Sequence, residues 1–338
     1  MALYCGGDET GRLVRGNTVY MPGVNVKIQL DNVKRICHGS THNAFGDTVI
    51  FNDHIFICYR AGSDHMSEDG RVIVLQCSLT GKRISQSTLH LPNTDLRDPH
   101  FCLDGKALRL LAHTRYIPSN PKAETVSWFS HGNNVWSGVH FPGPRGWWLW
   151  RAQVHKGRGW GIGYLRQANQ INLYSGHLRA RMEIVSEAIL SQQKHGLGYP
   201  NESDLRFTSD STLVTVVRRD ADSFTAQLGT SKPPYRRWQW KDLGVYIGGP
   251  AMLLIDDESA LVAGRYWDGK TLHTRLWLLD IVTGKLTTLA VLPSGGDNGY
   301  PGLAIHDNTL LMSYYSSHID NQSRMYLATF SLDNENQR

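Results

Sequence analysis

Six short hairpins recur along this chain at a nearly constant spacing. Each is an apolar strand, a turn of Asp, Asn or Gly type, and a second apolar strand closing on Arg or Tyr. The closing positions are Arg60, Arg115, Arg166, Arg218, Arg265 and Tyr315, separated by 55, 51, 52, 47 and 50 residues. A second ladder runs in phase with the first. Val72, Val126, Ile171, Phe224, Leu276 and Met325 each open an apolar run ending in a Ser/Asp-x-x-Gly-like turn. Units of about 50 residues carrying four short strands are the mark of β-propeller blades. Helical solenoids share such periods, but these runs are rich in Val, Ile, Thr and Trp and are broken constantly by Gly, Asp and Asn.

The expected fold is therefore all-β: one domain over residues 1–338, a six-bladed propeller of four-stranded antiparallel blades around a central channel. The sixth unit stops soon after its third strand. The strand-like residues 18–30 precede the first unit and are expected to add the missing outer strand, which would close the ring and remove an open edge. Residues 183–194 read as the one helical insert.

Bulk properties exclude several classes. The 338 residues are 41% hydrophobic and 19% charged, which suits a large buried core. The net charge of +5, without a Lys/Arg run interleaved with aromatics, argues against nucleic acid but tolerates an anionic partner. No apolar run reaches the ~20 residues of a membrane span. Cys5, Cys37, Cys58, Cys77 and Cys102 contain no CxxC pair and read as free thiols, buried where their surroundings are apolar. No signal peptide is visible, so a reducing, cytoplasmic or virion-associated setting is expected unless a leader was removed.

Topology then gathers residues that are distant in sequence. In a propeller, the start of each innermost strand and the end of the next lie on one face, near the channel. The strand starts offer His42, Asn43, Arg97, Asp98, Trp150, Arg151, Glu202, Gly249 and Tyr300; the ends offer the arginines above with Tyr314 and Tyr315. Arg carries a rigid fork of donors matched to carboxylates, and clustered guanidiniums repel unless an anion lies between them. A pocket for a carboxylated ligand follows.

The order Glu202, Arg218, Arg265, Tyr300 resembles that of the sialidase (neuraminidase) superfamily. So do Asn201-Glu-Ser-Asp-Leu-Arg-Phe207, Gly248-Gly-Pro250 and Gly295-Gly-Asp-Asn-Gly-Tyr-Pro-Gly302. The turns after Cys77 and Phe129 resemble degraded Asp boxes, with Trp136 in the closing position. The resemblance covers nearly the whole chain and implies a retaining glycosidase acting on a terminal acidic sugar, without a cofactor. It implies Tyr300 as nucleophile and Glu202 as its base, with Arg218 and Arg265 on the substrate carboxylate. The third clamp member would be Arg60 or Arg35, and the acid/base Asp64 or Asp98, with His65 a further candidate. Arg97, Arg115, His42, Asn43, Tyr314 and His318 are added as substrate contacts. The early Arg-Ile-Pro signature of the family is missing, with His42-Asn43 near its place.

Other readings compete. Leu96-Arg-Asp-Pro-His100 resembles the Arg-Asp-Pro motif of five-bladed furanosidases. A propeller that binds glycans without cleaving them, or a uronate lyase using His and Tyr, would share much of the pocket. The fifteen histidines form no HExxH pattern, so no metal is expected. Trp147 and Trp148 are candidates either for stacking on sugar or for the core. Asp256-Asp257-Glu258 reads as a solvated turn.

Overall fold

Both ladders become strands. The structure is a computed structural model that describes residues 19–21, 26–37, 39–116 and 123–334. Ahead of the first blade lie β1 (Val19–Met21) and β2 (Val26–Arg35). Blade one is β3 (His42–Phe51), β4 (His54–Gly62), β5 (Arg71–Ser78) and β6 (Arg83–Leu89). Blade two is β7 (Thr94–Asp104), β8 (Ala107–Tyr116) and β9 (Thr125–Ser130). Blade three is β10 (Trp148–His155), β11 (Arg158–Leu165), β12 (Gln170–Gly176) and β13 (Glu183–Ser191). Blade four is β14 (Pro200–Phe207), β15 (Leu213–Arg219), β16 (Gln227–Ser231) and β17 (Gln239–Asp242). Blade five is β18 (Gly248–Leu254), β19 (Ser259–Trp267), β20 (Leu272–Asp280) and β21 (Leu286–Val291). Blade six is β22 (Asn298–His306), β23 (Thr309–Ser316) and β24 (Arg324–Asn334), with β2 and then β1 outside β24. The sheets are antiparallel throughout and together make a six-bladed β-propeller.

Inner strands are covered on both faces by neighbouring blades and so read as unbroken buried runs, whereas the outer β6 alternates between exposed and half-buried. The strand outside β24 spans Val26–Arg35, with Ile28 facing Leu332 and Arg35 facing Tyr326. In blade two the fourth position holds only the bridge Ser127–His140. Pro142 and Pro144 follow there, and proline cannot donate to a ladder.

The helix expected over residues 183–194 is a strand for most of its length. Glu183–Ser191 pairs with β12 through two register shifts, and Ala188 takes φ 46°. The shifts give Ile184, Val185, Ile189 and Leu190 a spacing that imitates a helical face. Only Gln192–His195 turns helically, capped by the Ser191 hydroxyl and stopped by Gly196 at φ 66°. Cys37, Cys58, Cys77 and Cys102 are buried free thiols.

One irregularity recurs in every blade and sets up the site. Each innermost strand places two residues opposite one of its neighbour: Phe45-Gly46, Asp98-Pro99, Trp150-Arg151, Asn201-Glu202, Gly249-Pro250 and Tyr300-Pro301. Such bulges bend a strand and re-aim its side chains. Phe45, Asp98, Gly249 and Tyr300 sit there at φ 48–56°. For Phe and Tyr this left-handed backbone is strained and persists only where the surroundings enforce it.

Candidate active site

The bulges and the ends of the second strands meet around a cavity of about 500 Å³. At its centre the Tyr300 hydroxyl donates to Glu202 Oε1 at 2.7 Å. Arg218 Nη1 reaches both partners, 2.9 Å from the phenol oxygen and 2.7 Å from the same carboxylate oxygen. The other Glu202 oxygen accepts from the Gly249 amide at 2.7 Å. A Cβ on Gly249 would lie 2.6 Å from the Tyr300 ring, so this glycine permits both its own φ of 56° and the close approach of the phenol. Burial pushes the Tyr300 phenol well above its ordinary value; Glu202 adds to this, while Arg218 and Arg265 oppose it. The resting phenol therefore keeps its proton and shares it with Glu202.

Arg265 is held from behind. Its Nε donates to the Asn298 carbonyl, and its Nη2 donates to Asp297 Oδ1 at 2.8 Å and to the Tyr315 hydroxyl at 2.7 Å. Arg218 is likewise backed by Asp220 at 2.8 Å, and Arg97 by Asp95 at 3.2 Å. Each guanidinium is thus oriented by a carboxylate while it lines the cavity. Arg115 and Arg166 also line it. Asp98 is buried in the wall, its Oδ2 3.9 Å from Arg97 Nε. Burial raises its carboxyl to about 7, against the pull of Arg97 and with help from Glu202. It can carry a proton at neutral pH. Phe45 and Trp148 supply apolar wall, the latter stacked on His113 at 3.8 Å and on Tyr164 at 5.6 Å. Trp147 instead packs against Tyr174.

Several expected residues lie elsewhere. Arg60 is fully buried, its guanidinium taken by Asp95 at 2.6 Å, the Asp64 carbonyl, Ser67 and His42. Arg35 is an exposed residue of β2 pairing with Asp320 at 3.8 Å. The Asp64 carboxylate is exposed and accepts from the His65 amide, outside the cavity lining. Asn43 is buried against the Ser40 carbonyl, and Tyr314 is a core residue bonded to the Pro293 carbonyl. His318 packs on Tyr326. His42 sits behind the lining, between Arg60 and Asp297. The sequence reading missed Asp297, which gathers Arg265, Tyr315 and His65 around one carboxylate. Its place inside the Gly-rich run ahead of Tyr300 was its only signal.

His42 Nε2, His65 Nδ1 and Asp297 Oδ2 lie within 4.8 Å of one another, a span a divalent cation could bridge. Their donor chemistry does not fit one. Arg60 Nη1 donates toward His42 Nδ1 at 3.3 Å, which leaves the imidazole proton on Nε2, the atom a metal would need. Asp297 already serves Arg265 and Tyr315, and with the two histidines these partners hold it well below the usual carboxylate range despite its burial.

No family model matches the sequence, and no curated protein does. Solved structures do match. A Dyadobacter fermentans protein of unknown function superposes with a TM-score of 0.78 at 15% identity, covering 93% of this chain and all of the other. Trypanosoma rangeli sialidase, in complex with the inhibitor DANA, gives 0.62 at 12% identity over 87% of this chain. The endosialidase of phage phi92 gives 0.68 at 9% identity over 89%. This is a sialidase-like propeller fold. The chain spans about half the length of the trypanosomal enzyme (55%) and 69% of the phage one. The five-bladed furanosidase alternative fails on blade count, although Asp98 of its Arg-Asp-Pro motif does line the cavity of this sialidase-like propeller.

Proposed function

We propose that the cavity is the active site of a retaining exo-glycosidase that releases a terminal acidic sugar of the sialic type. The observation that carries this reading is the bonded trio of Tyr300, Glu202 and Arg218, buried at the base of an arginine-lined pocket. A sugar whose carboxylate sits on the anomeric carbon repels an anionic nucleophile, and a neutral phenol avoids that repulsion.

In this reading Arg218 and Arg265 hold the substrate carboxylate, and Arg97 takes the third position instead of Arg60 or Arg35. Neutral Asp98 gives its proton to the leaving oxygen. The Tyr300 oxygen attacks the anomeric carbon as its proton passes to Glu202. Water then cleaves the tyrosyl–sugar bond, with ionised Asp98 accepting its proton and Glu202 returning the phenol proton.

Hydrolysis of an aryl sialoside tests the reading. The expected result is release of the aryl alcohol with retained anomeric configuration, abolished in Tyr300→Phe. Binding without product would instead make the propeller a glycan receptor, and an unsaturated product absorbing in the ultraviolet would make it a lyase.

A further inference from the structure

Beneath the pocket, charged side chains meet across the channel, where they line a second cavity of about 170 Å³. Arg151, 5% exposed, lies 3.1 Å through Nη1 from Asp47 Oδ1 and 3.8 Å through Nε from Asp204 Oδ2. Its Nη2 donates to the Pro301 carbonyl at 2.7 Å. Asp47 also accepts from the Phe101 amide at 2.8 Å, and Asp204 from the Met252 amide at 2.7 Å. These residues come one from each blade: Asp47 from the first, Phe101 the second, Arg151 the third, Asp204 the fourth, Met252 the fifth and Pro301 the sixth. Removing three charges from water is expensive, and apolar side chains would plug a channel without that cost. The arrangement calls for a further role.

Pro301 is the second residue of the bulge whose first residue is Tyr300, held at φ 50°. Nothing in a tyrosine favours that backbone. Three contacts impose it. Arg151 clamps the next carbonyl, and the Trp150 ring lies 5.7 Å from the phenol ring. Gly302 packs so tightly on blade one that a Cβ there would come 2.2 Å from Thr48 N and 2.5 Å from Asp47 Oδ1. Asp47 therefore holds Arg151 on one side and abuts the Tyr300 segment on the other.

Resting on the glycosidase reading of Tyr300 as nucleophile, we infer that Arg151 is a positioning residue. From the channel axis it locks the Tyr300-Pro301 bulge so that the phenol oxygen stays on Glu202 and under Arg218. It touches no substrate.

The test compares Arg151→Lys and Arg151→Met with wild type by crystallography and by aryl sialoside kinetics. Because Arg151→Met strands buried Asp47 while Asp204 keeps Arg206, the double variant Asp47→Asn, Arg151→Met is made alongside, removing that charge pair together. In the variants lacking the arginine, Tyr300 is expected to leave the left-handed region and its hydroxyl to lose Glu202. Turnover falls about 100-fold, the scale of a 1 Å misplacement. KM stays within about threefold because Arg218 and Arg265 are untouched, and Lys recovers part of the turnover. A variant lacking Arg151 that keeps the Tyr300–Glu202 bond and the φ of Tyr300 overturns the inference, whatever its kinetics. A wild type that binds but does not hydrolyse sinks the glycosidase reading alone, and the crystallographic arm still decides the role of Arg151.

Discussion

Arg60 and Arg265 occupy the same place in the repeat, four blades apart, and their situations are opposite. Each faces the residue just ahead of its blade's bulge. Arg60 is 0% exposed with Asp95 at 2.6 Å, whereas Arg265 keeps 12% of its side chain exposed on the cavity wall beside Tyr300. In blade one the ring of arginines is consumed by the protein, whereas Arg97 and Arg115 of blade two line the cavity. On the side of blades four to six the ring is oriented by Asp220 and Asp297 and left facing the cavity. A repeat sets where a side chain begins; the carboxylate beneath it decides whether it serves the fold or a ligand.

The difference can be broken from either side. Tyr300→Phe should lower turnover of an aryl sialoside by about 1,000-fold or more, with a melting temperature near that of wild type. The mirror change, Arg60→Met, should cost about 3 kcal/mol in denaturant unfolding, because buried Asp95 loses its 2.6 Å partner and keeps Arg97 at 3.2 Å. Next in size, Arg218→Met or Arg265→Met should raise KM about 100-fold, the loss of a charge-assisted pair with the substrate carboxylate. Equal losses in Arg60→Met after correction for unfolding would erase the contrast.

Asp98 sharpens it through pH. Its folded value near 7 exceeds the unfolded ~3.9, so the native state holds an extra proton between those values. Stability from this group is full below about pH 4 and declines as pH rises through 7. Asp98→Asn should therefore melt higher than wild type at pH 8 and about equally at pH 4. Wild-type turnover should fall above about pH 7, as the acid loses its proton, and the variant should lose about 100-fold at neutral pH. Smallest of all, Asp64→Asn and Arg35→Ala should change kcat/KM less than about twofold, since both side chains lie exposed outside the cavity lining.

The blades were legible because hairpin turns and apolar runs are local signals that repetition amplifies. Glu202, Arg218, Arg265 and Tyr300 were legible as strand ends on one face. What escaped the sequence depends on neighbours distant along the chain. Asp95 beneath Arg60 is 35 residues away, and Asp297 gathers His65 from 232 residues away. The third strand of blade two runs into a turn where Asn134 takes φ 54° and its Oδ1 accepts from the Trp136 indole at 2.9 Å.

The join between β2 and β24 has a consequence for synthesis. Residues 26–35 are made long before their partner, residues 324–334, so five finished blades must wait as an open arc with one raw edge. Closure then clasps the two ends of the arc together. Losing either end would spring the whole circle rather than shorten it by a strand.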